Sequence, residues 1–197
     1  MTAIHRGAGT FAGQTWFVGV FFVMLWLIAI PIAVADGNIR DPYKFFFNET
    51  WGEFDEELIH AKEQNKKAIL IFFELDECPF CHFMKLNVLN KPEVQAYFRE
   101  HFLNFAVDIE GDIEMRGFDG EALTQKQFST KVHRVRATPV FAFFDLEGKK
   151  ITRYTGRTAN AKEFLLLGRY VIEGIYKKMS FTKYKRRMKK EDNVNES

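Results

Sequence analysis

The run Ala68-Ile69-Leu70-Ile71-Phe72-Phe73 is apolar without a break. Continuous rather than alternating hydrophobicity marks a strand covered on both faces, as at the centre of an α/β sheet. Phe102 to Asp108 and Val140 to Phe144 read as two more strands, and the turn Asp145-Leu146-Glu147-Gly148 followed by Ile151 to Tyr154 predicts an antiparallel hairpin. Helical patterns fill the intervals. Asp55 is placed to cap a helix, with Glu56 and Glu57 in its first turn and Leu58 and Ile59 facing inward. A helix is predicted after Cys78 to about Leu89, and Asn90-Lys91-Pro92-Glu93 reads as a cap before a shorter one through Phe98. Thr124 to Val132 forms another, and Ala159 to Tyr176 the last, burying Phe164, Leu167, Val171 and Ile175 at helical spacing. Helix, strand, helix, strand, helix, hairpin, helix is the order of a mixed α/β sheet sandwiched by helices.

Three stretches lie outside this pattern. Residues 36–54 are aromatic and irregular, and Phe45-Phe46-Phe47 and Trp51 are expected to dock on the core as an N-terminal extension. Glu110 to Glu121 reads as an acidic insertion. Asp108, Glu110, Asp112 and Glu114 alternate there, but no Gly sits where an EF-hand turn needs one, so a solvated acidic loop is expected. Residues 177–197 read as a basic polar tail.

Charge sharpens that division. Net charge is +2, yet residues 177–190 hold eight Lys/Arg and no acid, while residues 36–176 hold 19 basic and 23 acidic residues, a net of −4. The tail is expected to be solvated, with anionic lipid headgroups as the alternative contact. No nucleic-acid partner is expected, because the N-terminus predicts export. Between Arg6 and Asp36 there is no charged residue, Phe17 to Ile30 is apolar residues and Gly throughout, and Ala33-Val34-Ala35 supplies a small-x-small cleavage pattern. Residues 1–35 are read as a signal peptide cut after Ala35, or as an uncleaved anchor, since Trp16 to Ala35 is long enough to span a bilayer. In both cases the domain at 55–176 is expected beyond the membrane, because the following loop is not positively charged.

Cys78-Pro79-Phe80-Cys81 contains the two cysteines of the chain. Two cysteines three positions apart close too small a loop to stabilise an exported fold much, so catalysis is the better reading. At the start of a helix, unpaired backbone amides and the helix dipole favour a thiolate on Cys78, while Cys81, one turn in, is the expected resolving thiol. Glu74, Asp76 and Glu77 oppose a very low thiolate pKa, which favours a reductant over an oxidant. The same motif with His82 also spells a c-type haem attachment site, with Met115, Met179 or His133 as possible distal ligands. A non-catalytic binding module is the third reading. His60, His101 and His133 show no metal-ligand spacing.

Cys78-Pro79-Phe80-Cys81 together with Arg136-Ala137-Thr138-Pro139-Val140 resembles the thioredoxin superfamily over residues 55–176. The resemblance implies a thioredoxin fold, a cis-proline at Pro139, and a docking edge in which the backbone of Thr138 pairs with the substrate chain, with Pro79 and Phe80 beside it. Within the superfamily, His82-Phe83-Met84-Lys85, Val107-Asp108-Ile109-Glu110-Gly111-Asp112 and Val140-Phe141-Ala142-Phe143-Phe144 are similar to the SoxW-like exported thioredoxins of sulfur-oxidising bacteria. That likeness implies a periplasmic reductant of protein disulfides. Its electrons would come from a membrane thiol transporter, and it would need no cofactor beyond the redox-active Cys78–Cys81 pair. A DsbA-like oxidase or isomerase is the alternative direction. Thioredoxins keep a buried acid six positions before the first cysteine, where this chain has Phe72. Glu74 is the nearest replacement, on the same side of the strand by period-2 alternation, and is expected to exchange a proton with Cys81.

Overall fold

The computed structural model describes residues 40–195, so the apolar run at 17–30 and its expected cleavage site lie outside the described residues. Among the described residues no helix is long and apolar enough to cross a membrane. A four-stranded mixed sheet holds the molecule together. Strand β1 (Ala68–Glu74) is its central member, buried at every position. It pairs in parallel with β2 (Phe102–Asp108), from Ala68 opposite Phe102 to Glu74 opposite Asp108. On its other side it runs antiparallel to β5 (Val140–Phe144), which turns back into β6 (Lys150–Thr155), giving the order β2-β1-β5-β6. The connecting turn is shaped by Asp145, whose Oδ1 accepts from the amides of Glu147 and Lys149, and by Gly148 at φ 76°.

The period of two divides the sheet between two cores. Leu70, Phe72, Phe141 and Phe143 face the helices α3 (Pro79–Asn87), α4 (Pro92–His101) and α6 (Ala161–Ile172). Ile69, Ile71, Phe73, Phe105 and Phe144 face the opposite layer, which includes Phe54 of α2 (Phe54–Glu63) and Phe128. Phe128 opens a π-helical turn, Phe128–Val132, that continues the short α5 (Gln125–Gln127), itself started by a capping box from Thr124 to Gln127. The predicted helix at 124–132 is thus two short pieces.

Local details differ from the pattern-based reading. Asp55 lies inside the first turn of α2 and does not cap it; Glu53 occupies the cap position without a side-chain bond. Ile59 is exposed, and only Leu58 packs inward. Asn90 does not cap α4; its amide donates back to the carbonyl of Leu86 in α3. The acidic insertion is partly ordered: β3 (Glu114–Arg116) pairs antiparallel with β4 (Ala122–Thr124), and Met115, Phe118 and Leu123 anchor the hairpin to the core, while Glu110, Asp112 and Glu114 stay exposed in keeping with the expected solvated acids.

The extension docks through Phe46 and Phe47, not through Phe45 or Trp51. It forms α1 (Pro42–Phe45) and buries Phe46 and Phe47, but Trp51 is 96% exposed. Asn48 supplies the reason the segment stays in place. Its amide donates to the carbonyl of Asn104 at 2.7 Å and its Oδ1 accepts from the Asn104 amide at 2.9 Å, covering the free edge of β2. The basic tail is likewise not a solvated coil. Residues 181–195 form α7 (Phe181–Asn195), and Phe181, Tyr184 and Met188 recur on one face and pack against the core that includes α6.

His133 is enclosed by Phe128, Phe144, Phe73 and Phe118, with ring centroids 4.3, 4.9, 5.9 and 6.4 Å away. Burial, and then the nearby charge of Lys150, push its pKa down from 6.5 to about 4. The unfolded chain therefore binds a proton that the fold refuses between those values, and stability falls as pH drops from about 6.5 to about 4. His133→Phe is expected to flatten that slope between pH 6.5 and 5 in denaturant titrations. An unchanged slope would show that other groups cause it.

Candidate active site

The end of β1 aims the chain into the loop that carries the dithiol. Cys78 is the N-cap of α3, Pro79 is its first residue, and the Cys78 Sγ accepts from the amide of Cys81 at 3.2 Å. A sulfur thus takes the capping place usually held by a hydroxyl or carboxylate oxygen. Both cysteines are free thiols. Cys78 is 8% exposed at the surface end of the core, Cys81 is fully buried, and Phe80 between them is 53% exposed.

The two sulfurs are electrostatically unequal. Burial works against a Cys78 thiolate, but hydrogen bonds from Cys81, from the Thr138 side chain and from the amides of Cys81 and Phe80 outweigh it, so its pKa lies below that of an ordinary thiol. Burial and the hydrogen bond to Cys78 push the Cys81 thiol up to about 12. One sulfur is poised to be the anion and the other to hold the proton.

Thr138 reaches this site through a cis peptide bond to Pro139, immediately before β5. The sequence resemblance gave Thr138 a backbone role; the structure adds its side chain as a partner of both sulfurs. His82 turns away from the site. It is exposed, and its Nε2 lies 2.6 Å from the carbonyl oxygen of Asp76, while Cys81 points into the core.

The structure does not bring Glu74 to Cys81. Glu74 shares the sheet face of Phe72 and is buried, but both of its oxygens are engaged elsewhere. Oε2 meets Lys85 Nζ at 2.7 Å, and Oε1 accepts from the Tyr43 hydroxyl at 2.7 Å. Lys85 also donates to Tyr43 at 2.9 Å, which closes a triangle between the end of β1, the inner face of α3 and the extension. Glu74, expected to exchange a proton with Cys81, is instead seen in an ion pair with Lys85 that ties β1 to α3. Burial opposes the Lys85 charge, but Glu74 and Tyr43 raise its pKa overall. The pair also removes Glu74 from the uncompensated acids around Cys78, leaving the exposed Asp76 and Glu77. Lys85 and Tyr43 were not singled out in the sequence, although a lysine on the inward face of an apolar helix, one turn beyond Cys81, was the available signal.

A dithiol capping a helix beside a cis-proline, on a β2-β1-β5-β6 mixed sheet, is the site of a thioredoxin-fold protein. The chain belongs to the thioredoxin-like domain family, whose model matches residues 54–172. Among its relatives, the disulfide bond reductase DsbH of Chlamydia pneumoniae is 26% identical over 145 residues, covering 70% of this chain and 85% of that protein. Among solved structures, a thioredoxin-fold protein from Helicobacter pylori aligns with a TM-score of 0.55 and 24% identity over 66% of this chain and 87% of its own. A thioredoxin from Thermus thermophilus aligns at 0.50 and 22% identity, covering 65% and 88%. The two structures support the fold.

Two outcomes are expected from these geometries. An alkylating reagent at pH 7 should label Cys78 well before Cys81, and Thr138→Val should slow that labelling several-fold by withdrawing a hydrogen bond from the thiolate; equal labelling of both sulfurs would contradict the assignment. Lys85→Met should destabilise the fold by about 3–5 kcal/mol because it strands a buried carboxylate. The double change Glu74→Leu/Lys85→Met should recover most of that loss in denaturant titrations, and a loss equal to or greater than the single variant's would show that the pair itself stabilises.

Proposed function

We propose that this chain is an exported thiol-disulfide oxidoreductase that reduces protein disulfides. The observation that carries this reading is the inequality of its two sulfurs, a favoured anion at the surface and a protonated thiol directly behind it. The Cys78 thiolate attacks one sulfur of a substrate disulfide; the other sulfur leaves and takes up a proton. Cys81 then gives up its proton and attacks Cys78 Sγ, releasing the second substrate thiol. The substrate gains two electrons and two protons, and the protein ends with a Cys78–Cys81 disulfide. The edge at Thr138 and Pro139, with Pro79 and Phe80 opposite, is where the substrate chain lies during this exchange.

The reducing direction is supported by the reductase name of the Chlamydia pneumoniae relative. Export rests on the apolar run at 17–30 and the small residues Ala33 and Ala35. Renewal of the dithiol then calls for a donor that carries electrons across the membrane, a thiol transporter. Sulfur-oxidation proteins are the proposed clients, on the SoxW-like motif likeness.

Equilibration of the pair with a thiol-disulfide buffer is expected to give a potential near the reducing end of the superfamily range, about −270 mV, rather than about −120 mV. Cys81→Ser is expected to accumulate mixed disulfides through Cys78. A potential at the oxidising end would reverse the proposed direction, and absence of any mixed disulfide would remove the mechanism.

A further inference from the structure

Arg157 occupies the loop between β6 and α6, at the rim of the dithiol. Its backbone is pinned from two sides. The amide of Gly156 donates to the carbonyl of Pro139 at 2.8 Å, which ties this loop to the cis-proline, and the carbonyl of Arg157 accepts from the Tyr154 hydroxyl at 3.1 Å. The side chain reaches the other wall of the site. Its guanidinium carbon lies 4.4 Å from the ring centroid of Phe83 and 5.7 Å from that of Phe80. Those two residues are three apart on α3, so their rings share a helix face, and Phe80 is the exposed residue between the cysteines. Arg157 therefore links the cysteine helix to the cis-proline loop across the cleft a substrate must enter.

Its charge is uncompensated. Some surface bases are matched, Arg116 by Glu53, Asp55 and Glu56, Lys185 by Glu163, and Arg187 by Glu191. Arg157 is exposed and makes no ion pair among the described residues. A guanidinium lying over aromatic rings is already ordered, so it loses little freedom on binding, and its fork of donors fits a carboxylate. The chain just before Cys78 carries the opposite sign in the exposed Asp76 and Glu77.

We propose that Arg157 determines substrate choice, selecting protein disulfides that carry an Asp or Glu side chain beside the reacting cysteine. The proposal rests on the thiol-disulfide reading of Cys78 and Cys81. Charges of opposite sign around the cleft also orient the substrate chain, drawing its acidic flank to Arg157 and turning it from Asp76 and Glu77.

The test uses the full chain, reduced beforehand, and two short peptides with one internal disulfide, identical except for Glu or Gln next to the cysteine that Cys78 attacks. Single-turnover reduction is measured for each, and the ratio of the two rates is compared within each protein. The Glu peptide is expected to react about three- to tenfold faster at low ionic strength, with the preference shrinking as salt is added. Arg157→Gln should bring the ratio to one, Arg157→Glu should invert it, and Arg157→Lys should keep only part of it. A wild-type ratio of one, or the same preference in Arg157→Gln, would overturn the proposal. Reduction of neither peptide would overturn the reading of the dithiol, and this proposal with it.

Discussion

Glu74 and Lys85 meet 2.7 Å apart between the end of β1 and the inner face of α3, in a core built largely of phenylalanine. A single charge there would strongly destabilise the fold, so each residue holds the other in place, and the Tyr43 hydroxyl satisfies what remains. The two residues bracket the dithiol in sequence, four positions before Cys78 and four after Cys81. The pair therefore clamps both ends of the segment that must present Cys78 to solvent and keep Cys81 inside. The cysteine spacing sets one sulfur at the helix cap and the other one turn in, at different depths, and this clamp holds α3 against β1.

Depth in turn produces the chemistry. The same low-dielectric surroundings that raise the Cys81 pKa also act on Cys78, and only Cys78 has enough donors to overcome them. An N-cap position is suited to this because backbone amides that lack helical partners converge there. The Thr138 side chain joins them from the cis-proline loop, so β5 and α3 each contribute to one thiolate. Separate parts of the chain, about 60 residues apart, become one site because β5 lies directly beside β1.

The strands were legible because buried strands leave continuous apolar runs; the predicted Phe102 to Asp108 coincides with β2, and the hairpin after Val140 appeared as read. The cysteine motif and Thr138-Pro139 were legible as motifs. Residues whose partners are distant in sequence were not. Glu74 drew attention as an acid near a cysteine, but its real neighbours are 11 and 31 positions away, on another helix and in the extension. Trp51 reads as core by composition and lies in solvent, while Tyr184, in a segment dominated by lysine and arginine, is buried. In the tail, high charge masked a valid helical stripe at Phe181, Tyr184 and Met188. Arg157 had no sequence signal at all, because its significance comes from the rings beneath it.

The extension also has a mechanical consequence. From Arg40 to Asn48 it is fastened at several independent points, by the Arg40 amide to the Asn90 carbonyl, by Gln95 to the Arg40 carbonyl, by Arg99 to the Phe47 carbonyl and by Asn48 to Asn104. Within the same stretch Tyr43 adds a direct link to Glu74 of β1 and Lys85 of α3. Residues 40–48 are thus stitched to α4 and β2 and, through Tyr43, to β1 and α3 as well, so any shift of the extension is felt directly by the cysteine helix.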